Sequence, residues 1–301
     1  MTKKIFGLAA AFLLMAYLIP SFVSAPYFNY LYARENGFVA WLLFGEVVAT
    51  VKSFAWPYFA LERFNGSSPS DDTTLLLAEQ GDAKAQNKLG FVYDAGQGVR
   101  QDYAEAVKWY RKAADQGNAS AEYNLGSMYA NGQGVPQDDA DAVKWFRKAA
   151  DQDNAAAEYD LGSMYRDGRG VPQDYAEAMK WFRKAANRGL AAAENNIGGM
   201  YDTGKGVRQD AAEAVKWYRK GADHGSALAQ FNLAICYSSG QGVPQDFVQA
   251  SKWFDLAAAG FPASDTELRT KAIRARDLVA SKMTPSQIAE AQALTREWKP
   301  Q

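Results

Sequence analysis

Five tryptophans recur at intervals of 36 residues, and this spacing constrains the fold more than any other feature of the chain. They are Trp109, Trp145, Trp181, Trp217 and Trp253. A fixed period of that length is typical of a solenoid, in which one supersecondary unit is copied and buries its apolar face only against its neighbours. We therefore expect an extended array in which all five indoles pack in the interior.

Each copy has the pattern of two helices joined by a glycine turn. In the first copy Leu89, Val92 and Tyr93 form an apolar stripe at helical spacing. Gly96 and Gly98 end this helix, because glycine adopts positive φ without steric cost. The five full copies begin at equivalent alanines, and the array is predicted to span residues 85–264. These alanines are Ala85, Ala121, Ala157, Ala193 and Ala229.

The second helix of each copy has a predicted capping box. In the first copy Asp102 can accept the backbone N–H of Glu105, and the Glu105 side chain can return to the backbone of Asp102. Tyr110 then shares a buried face with Trp109. In the second copy Asp153 takes the place of the terminal glycine, and aspartate tolerates the left-handed conformation that this position requires.

The array has predicted caps at both ends, as an open stack requires for solubility. Residues 64–72 have the composition of a polar linker, and residues 73–84 align with half a repeat that lacks the tryptophan. Residues 265–301 contain two further helical patterns, Asp265–Ser281 and Thr284–Trp298. The apolar stripe of the last helix would close the stack.

Residues 1–63 are predicted to anchor the chain to a membrane. Lys3 and Lys4 precede an uncharged stretch, of which residues 5–23 could cross about 30 Å of hydrocarbon as a helix. A cleaved signal peptide is the alternative, since residues 23–25 resemble a cleavage site. Pro26 would follow that cut and hinder it, which favours an uncleaved anchor.

A second apolar segment, residues 38–60, contains Glu46 and Lys52. Each charge near the middle of a membrane costs about 2.5–3.5 kcal/mol on insertion scales. This segment is either a second span or an interfacial helix. With Lys3 and Lys4 inside, one span places the repeats outside the cytoplasm, and two spans return them to it.

The run LGSMYANGQGVPQDDADAVKWFRKAA at Leu125–Ala150, with its counterpart at Leu161–Ala186, resembles the Sel1-like repeat family, relatives of the tetratricopeptide repeat. The resemblance covers residue 85 to about 264. It implies an all-α, right-handed α-solenoid of helix-turn-helix repeats with a concave groove. It also implies a non-catalytic scaffold or adaptor for proteins or peptides, in bacteria often at the envelope, so a bacterial inner membrane is the expected location.

By analogy with tetratricopeptide repeats, the groove is lined by first-helix residues two positions before and two positions after the repeated leucine. The first set is Asn87, Tyr123, Tyr159, Asn195 and Phe231, and the second is Phe91, Ser127, Ser163, Gly199 and Ile235. Amides could pair with the backbone of an extended peptide while rings cover its side chains. The alternative is that these aromatic residues only pack on the adjacent helix.

The first helix varies more between copies than the second helix does, and we expect specificity there if the groove binds a partner. One column shows this variation. Its members are Asp94, Ala130, Arg166, Asp202 and Ser238.

Composition and motifs argue against other function classes. A net charge of −1 gives no sign of nucleic-acid binding. The segment Gly199–Lys205 matches a phosphate loop only in outline, because Gly206 replaces the required Ser or Thr, so no nucleotide is expected.

The chain has a single histidine, His224, expected at the surface, and a single cysteine, Cys236, expected in the core. We expect no cofactor and no metal. An envelope hydrolase of the β-lactamase kind, and a purely structural spacer in a membrane complex, remain as alternative functions.

Overall fold

The computed structural model describes residues 69–300, and this part of the chain is helical throughout, without strands. It contains α1 Pro69–Glu79, α2 Ala83–Ala95, α3 Tyr103–Ala114, α4 Ala119–Asn131, α5 Asp139–Asp151, α6 Ala155–Asp167, α7 Tyr175–Asn187, α8 Ala191–Thr203, α9 Ala211–Asp223, α10 Ala227–Ser239, α11 Phe247–Gly260, α12 Thr266–Ala280 and α13 Pro285–Glu297. The predicted all-α solenoid is confirmed. The handedness of the superhelix stays a prediction.

The predicted membrane segments, residues 5–23 and 38–60, lie outside the described residues. Within residues 69–300 no helix is long and apolar enough to cross a membrane. α1 begins at Pro69, so residues 69–72 are helical although the sequence pattern places them in a linker.

Each repeat is a helical hairpin whose two helices approach closely through a small residue. In the first repeat a Cβ added to Gly90 on α2 would lie 2.6 Å from the Tyr110 ring on α3. An equivalent glycine faces an aromatic ring in each of the next three repeats. In the fifth repeat Ala234 occupies this position. Each second helix then packs on the first helix of the following repeat. The core is therefore a series of linked layers.

The second helices begin at the predicted aspartates, but the reciprocal half of the capping box is wrong. Asp102 accepts the backbone N–H of Glu105 at 3.0 Å. The Asp102 backbone N–H donates to the carbonyl of Tyr93 at 2.9 Å, so it is already paired. Glu105 turns instead to Lys108 at 2.7 Å, and the equivalent acids of the next three repeats do the same. A full capping box forms only at Thr284 among the described helices.

The predicted tryptophan interior is correct for three copies and needs correction for two. Trp109 and Trp181 are each 8% exposed, and Trp253 is 3% exposed. Trp145 and Trp217 are only half-buried. Trp145 packs on the core formed around α3 and α4 and also meets Lys148, whose Nζ lies 3.9 Å from the centre of the indole.

The turn between the two helices of a repeat lies against the preceding repeat. Gly134 has φ 71°, and a Cβ there would lie 2.3 Å from the carbonyl oxygen of Tyr103. Gly98 has nearly the same φ, 72°, but nothing lies within 4 Å of its added Cβ. Glycine is therefore required at position 134 for two reasons, the positive φ and the close contact with the preceding repeat. Asp153 adopts φ 66°, which confirms the predicted left-handed residue.

The C-terminal helices both lean on the last repeat. α12 and α13 each pack against α11. The Trp298 ring meets Trp253 edge-on, with ring centres 6.2 Å apart. Ala291 of the predicted closing stripe is 1% exposed. The end of the stack is thereby covered by a tryptophan pair.

Candidate functional site

The ten residues assigned to a groove lie on successive first helices, and we call this set the first-helix face. Phe91 and Ile235, near its two ends, are exposed at 48% and 40%. The other eight are half-buried. The structure thus places them on one surface of the array, and their role in binding stays a prediction.

The aromatic residues of the first-helix face pack on the second helix of their own repeat. The ring centre of Tyr123 lies 5.7 Å from that of Phe146, and Tyr159 lies at the same distance from Phe182. Phe231 lies 5.5 Å from Phe254. Because each of these residues stays half-buried, one side of the ring is used in packing while part of its surface stays open.

The amides of the first-helix face bond across repeat boundaries. Asn124 Nδ2 donates to Asn87 Oδ1 at 3.0 Å, and Asn232 Nδ2 donates to Asn195 Oδ1 at 2.9 Å. The Tyr123 hydroxyl makes the corresponding contact with Asp160. Residues 37 positions apart therefore meet at three of the four repeat boundaries, and we call this line of residues the polar ridge.

The middle of the first-helix face has small side chains between its exposed apolar ends. Ser127, Ser163 and Gly199 occupy the positions equivalent to Phe91 and Ile235. The Ser127 hydroxyl donates to the Tyr123 carbonyl at 3.1 Å, so this side chain lies against its own helix and projects little from the surface. We call this run of small side chains the floor of the first-helix face.

The variable first-helix column has a structural partner that the sequence interpretation missed. The Tyr110 hydroxyl donates to Asp94 at 3.2 Å. Burial, followed by the charge of Asp94, raises the pKa of Tyr110 well above its usual range, and burial together with Asp202 does the same for Tyr218. Where the column is Ala130, Arg166 or Ser238, the facing ring is phenylalanine without a hydroxyl. The two aspartates of the column therefore accompany tyrosine rings, and a role of the column in specificity stays a prediction.

A second set of polar residues, also missed, is buried at the start of the first helices. It comprises Gln86, Glu122, Glu158, Glu194 and Gln230, all 5% exposed or less. In the first four, a side chain 30 positions later supplies a hydrogen bond: Gln116, Gln152, Arg188 and His224. A 36-residue recurrence of Glu or Gln was the available signal.

His224 is half-buried and paired, so the expectation that it is a simple surface residue is wrong. Its Nδ1 lies 2.8 Å from Oε2 of Glu194, and Lys220 Nζ lies 3.0 Å from the other oxygen. Glu194 is fully buried, so the lysine supplies a cation to one of its oxygens and the histidine ring pairs with the other. This arrangement is structural bracing between the helices of one repeat.

Burial raises the pKa of Glu122 and of Glu158 above the usual carboxyl range. In Glu122 the Lys148 charge and the Gln152 hydrogen bond offset part of the rise, and in Glu158 the Arg188 guanidinium does so.

Reactive groups in the described part of the chain lie in unreactive settings. Cys236 is buried as expected, and burial raises the pKa of its thiol to about 11. Gly204 caps the preceding helix in the left-handed conformation, and Lys205 lies over the Tyr175 ring, which is unlike a phosphate loop. No group of metal-ligating side chains occurs among residues 69–300.

Comparison with known proteins agrees with the repeat geometry. The Sel1 repeat model matches residues 83–118, 119–154, 155–190, 191–226 and 227–260, more than half of the chain. Its borders fall two residues before the copies set by the alanine column, and its last match ends at 260 rather than 264. A search of curated proteins finds no match.

Several solved structures are similar to this chain. A Sel1 repeat protein from Oxalobacter formigenes is 32% identical, with 85% of this chain and 99% of that chain covered and a TM-score of 0.61. The protective antigen c5321 of uropathogenic Escherichia coli is 24% identical, with coverages of 91% and 84% and a TM-score of 0.37. The Pseudomonas aeruginosa immunity protein Pa5087 is 20% identical, with coverages of 65% and 81% and a TM-score of 0.41.

Scaffolds of this kind are typical of protein–protein interaction and are generally non-catalytic. With five consecutive repeats matched and one solved relative aligned over most of its length, the chain belongs to the Sel1 repeat family.

Proposed function

We propose that this protein is a scaffold whose first-helix face binds an extended segment of a protein or peptide partner. The observation that carries the proposal is the continuity of that face across five repeats, with a shallow floor at Ser127 and Ser163 between exposed Phe91 and Ile235. Half-buried rings beside the floor offer apolar contact area at low entropic cost.

The repeat spacing sets the size of the segment. Packed helices lie about 8–10 Å apart, and an extended chain advances about 3.3 Å per residue. Each repeat therefore matches about three residues of a partner, and the full face matches roughly 15. Affinity would come from several modest contacts.

Substitutions on the two sides of one repeat test the proposal. Tyr159→Ala removes a ring from the face, and Ser163→Trp fills the floor without removing existing packing. Lys180→Ala is the control, since this side chain is 71% exposed on the second helix of the same repeat. Proteins that co-purify with the full-length chain after chemical cross-linking are then compared.

We expect both first-helix variants to lose the partner and the control to retain it, with unchanged helical circular dichroism in all three. Retention of the partner by Tyr159→Ala and Ser163→Trp would overturn the assignment of the binding face.

We further propose that residues 1–63 attach the scaffold to a membrane, because residues 5–23 form an apolar stretch of spanning length. The side on which the repeats lie depends on whether residues 38–60 also span. A topology reporter fused after Gln301 distinguishes the two arrangements. Release of the full-length chain from membranes by alkaline carbonate would contradict the attachment.

A further inference from the structure

Asp160, on α6, is the one carboxylate in the polar ridge of the first-helix face. It is half-buried, and its hydrogen-bonding partner is the neutral Tyr123 hydroxyl. Among the described residues no lysine or arginine lies within ion-pair distance of it. The nearest arginine in sequence on the same helix, Arg166, is held by Asp167, with bonds of 2.8 and 2.9 Å.

The equivalent position in other repeats shows what the fold itself requires there. It is asparagine in three of them, Asn124, Asn196 and Asn232, and Asn124 and Asn232 donate to the preceding repeat. An asparagine oxygen can accept from the Tyr123 hydroxyl as well as a carboxylate oxygen can. The negative charge of Asp160 is therefore not needed for packing.

That charge also has a cost. Burial raises the pKa of Asp160 above its usual range, and the Tyr123 bond offsets only part of the rise. A residue that is electrostatically unfavourable, at a position where sibling repeats carry a neutral one, indicates a function outside the fold.

A polar group with no hydrogen-bond partner at all lies one repeat further along. In the register that joins Tyr123 to Asp160, Asn196 stands opposite Tyr159, and Asn196 Nδ2 is buried with no hydrogen-bond partner. The carboxylate without a cation and the amide without an acceptor thus both lie beside the Tyr159 position, at the centre of the face.

We infer that the centre of the first-helix face binds a basic side chain, a lysine or arginine of the bound segment, through the carboxylate of Asp160. The inference rests on the proposed function of that face and adds the charge class of the partner. A cation there would compensate the exposed part of the carboxylate in a partly desolvated setting, where charge-assisted hydrogen bonds are strongest. Opposite charge would also speed association and suppress acidic partners.

The test uses the full-length chain in detergent micelles and a phage-displayed library of random dodecapeptides. Wild type and Asp160→Asn are selected in parallel, because asparagine is the residue that three sibling repeats carry at this position. Asp115→Asn is the matched control, an exposed carboxylate at the end of a second helix. Circular dichroism verifies that all three proteins are folded.

We expect wild type and Asp115→Asn to enrich one basic residue at a fixed position, and Asp160→Asn to lose that enrichment. For a selected peptide made synthetically, Asp160→Asn should weaken binding at least about tenfold, the effect of one charge-assisted hydrogen bond. Exchanging the basic residue for glutamine should remove the difference between the two proteins.

Peptides without a preferred basic residue, or equal binding by wild type and Asp160→Asn, would overturn this inference. The proposed function would survive if Tyr159→Ala still weakened the same peptides. Failure of wild type to select any peptide would count against both.

Discussion

Nε of Arg188 lies 3.1 Å from the carboxylate of Glu158, a side chain that is 1% exposed. Arg188 follows the second helix of the repeat whose first helix carries Glu158, so the pair connects the far ends of one hairpin. In the first repeat Gln116 and Gln86 make the same connection without charge, at 2.7 Å.

Arg188→Ala should therefore destabilise the array, because it leaves a buried carboxylate without its cation. We expect a loss of about 2 kcal/mol, within the range for an unsatisfied buried group. The double variant Glu158→Gln with Arg188→Gln recreates the pair of the first repeat and should recover most of the loss. Urea denaturation of the three proteins measures both effects, and an unstable double variant would show that the charge itself is required.

Glu122→Gln should stabilise the protein at pH 7, since Gln152 can pair with a glutamine as Gln116 does in the first repeat. Burial raises the pKa of Glu122 in the folded state above 4.5, so the folded state takes up a proton before the unfolded state does as pH falls. As pH falls from the raised pKa to 4.5, the free energy of unfolding of wild type should therefore increase relative to that of the variant. Denaturation at pH 7 and pH 5 gives the difference, and a constant difference would contradict the predicted sign.

Gly134→Ala should cost more stability than Gly98→Ala, although the two glycines have nearly equal φ. Both substitutions carry the left-handed penalty of about 1–2 kcal/mol. Only at 134 does the new Cβ also collide with the Tyr103 carbonyl of the preceding repeat. Thermal melts of the two variants compare them directly, and equal losses would argue against close inter-repeat packing of the turns.

Trp181→Ala should cost about 3–5 kcal/mol, as expected for a large aromatic residue removed from a core. Trp217→Ala, in the same motif one repeat later, should cost clearly less because that indole is half-buried. Denaturant titrations followed by circular dichroism measure both losses. A larger loss for Trp217→Ala would reverse our assignment of the interior.

Helix boundaries could be predicted from the sequence because they depend on neighbouring residues. Asp102 caps a helix by accepting the backbone N–H three positions later, and Gly96 ends a helix by adopting a positive φ. The 36-residue period then fixes the stacking of hairpins. These features need no knowledge of which surfaces meet.

The buried Glu158 and the pairing of Glu105 could not be predicted in the same way. A glutamate on an amphipathic helix has the pattern of a surface residue, and Glu158 is buried by the packing of helices around it. The capping-box pattern pairs Glu105 with the Asp102 backbone N–H, which already donates to the Tyr93 carbonyl. In both cases the deciding partner lies on another element.

The candidate site was predictable as a set of columns, and its internal contacts were not. Column spacing placed Tyr123 and Asn87 on one face, which the structure shows. The internal contacts depend on the register between helices. Asn87 accepts a hydrogen bond from Asn124, and Asp94 accepts one from Tyr110. Local periodicity does not specify that register.

Site-specific photo-cross-linking tests the binding face most directly. Benzoylphenylalanine is introduced in host cells at Ser127 or Ser163 on the first-helix face, and at exposed Ala176 on the second helix of the third repeat. The account predicts one discrete protein adduct from Ser127 and Ser163 and none from Ala176. An adduct from Ala176 with none from the two serines would contradict it.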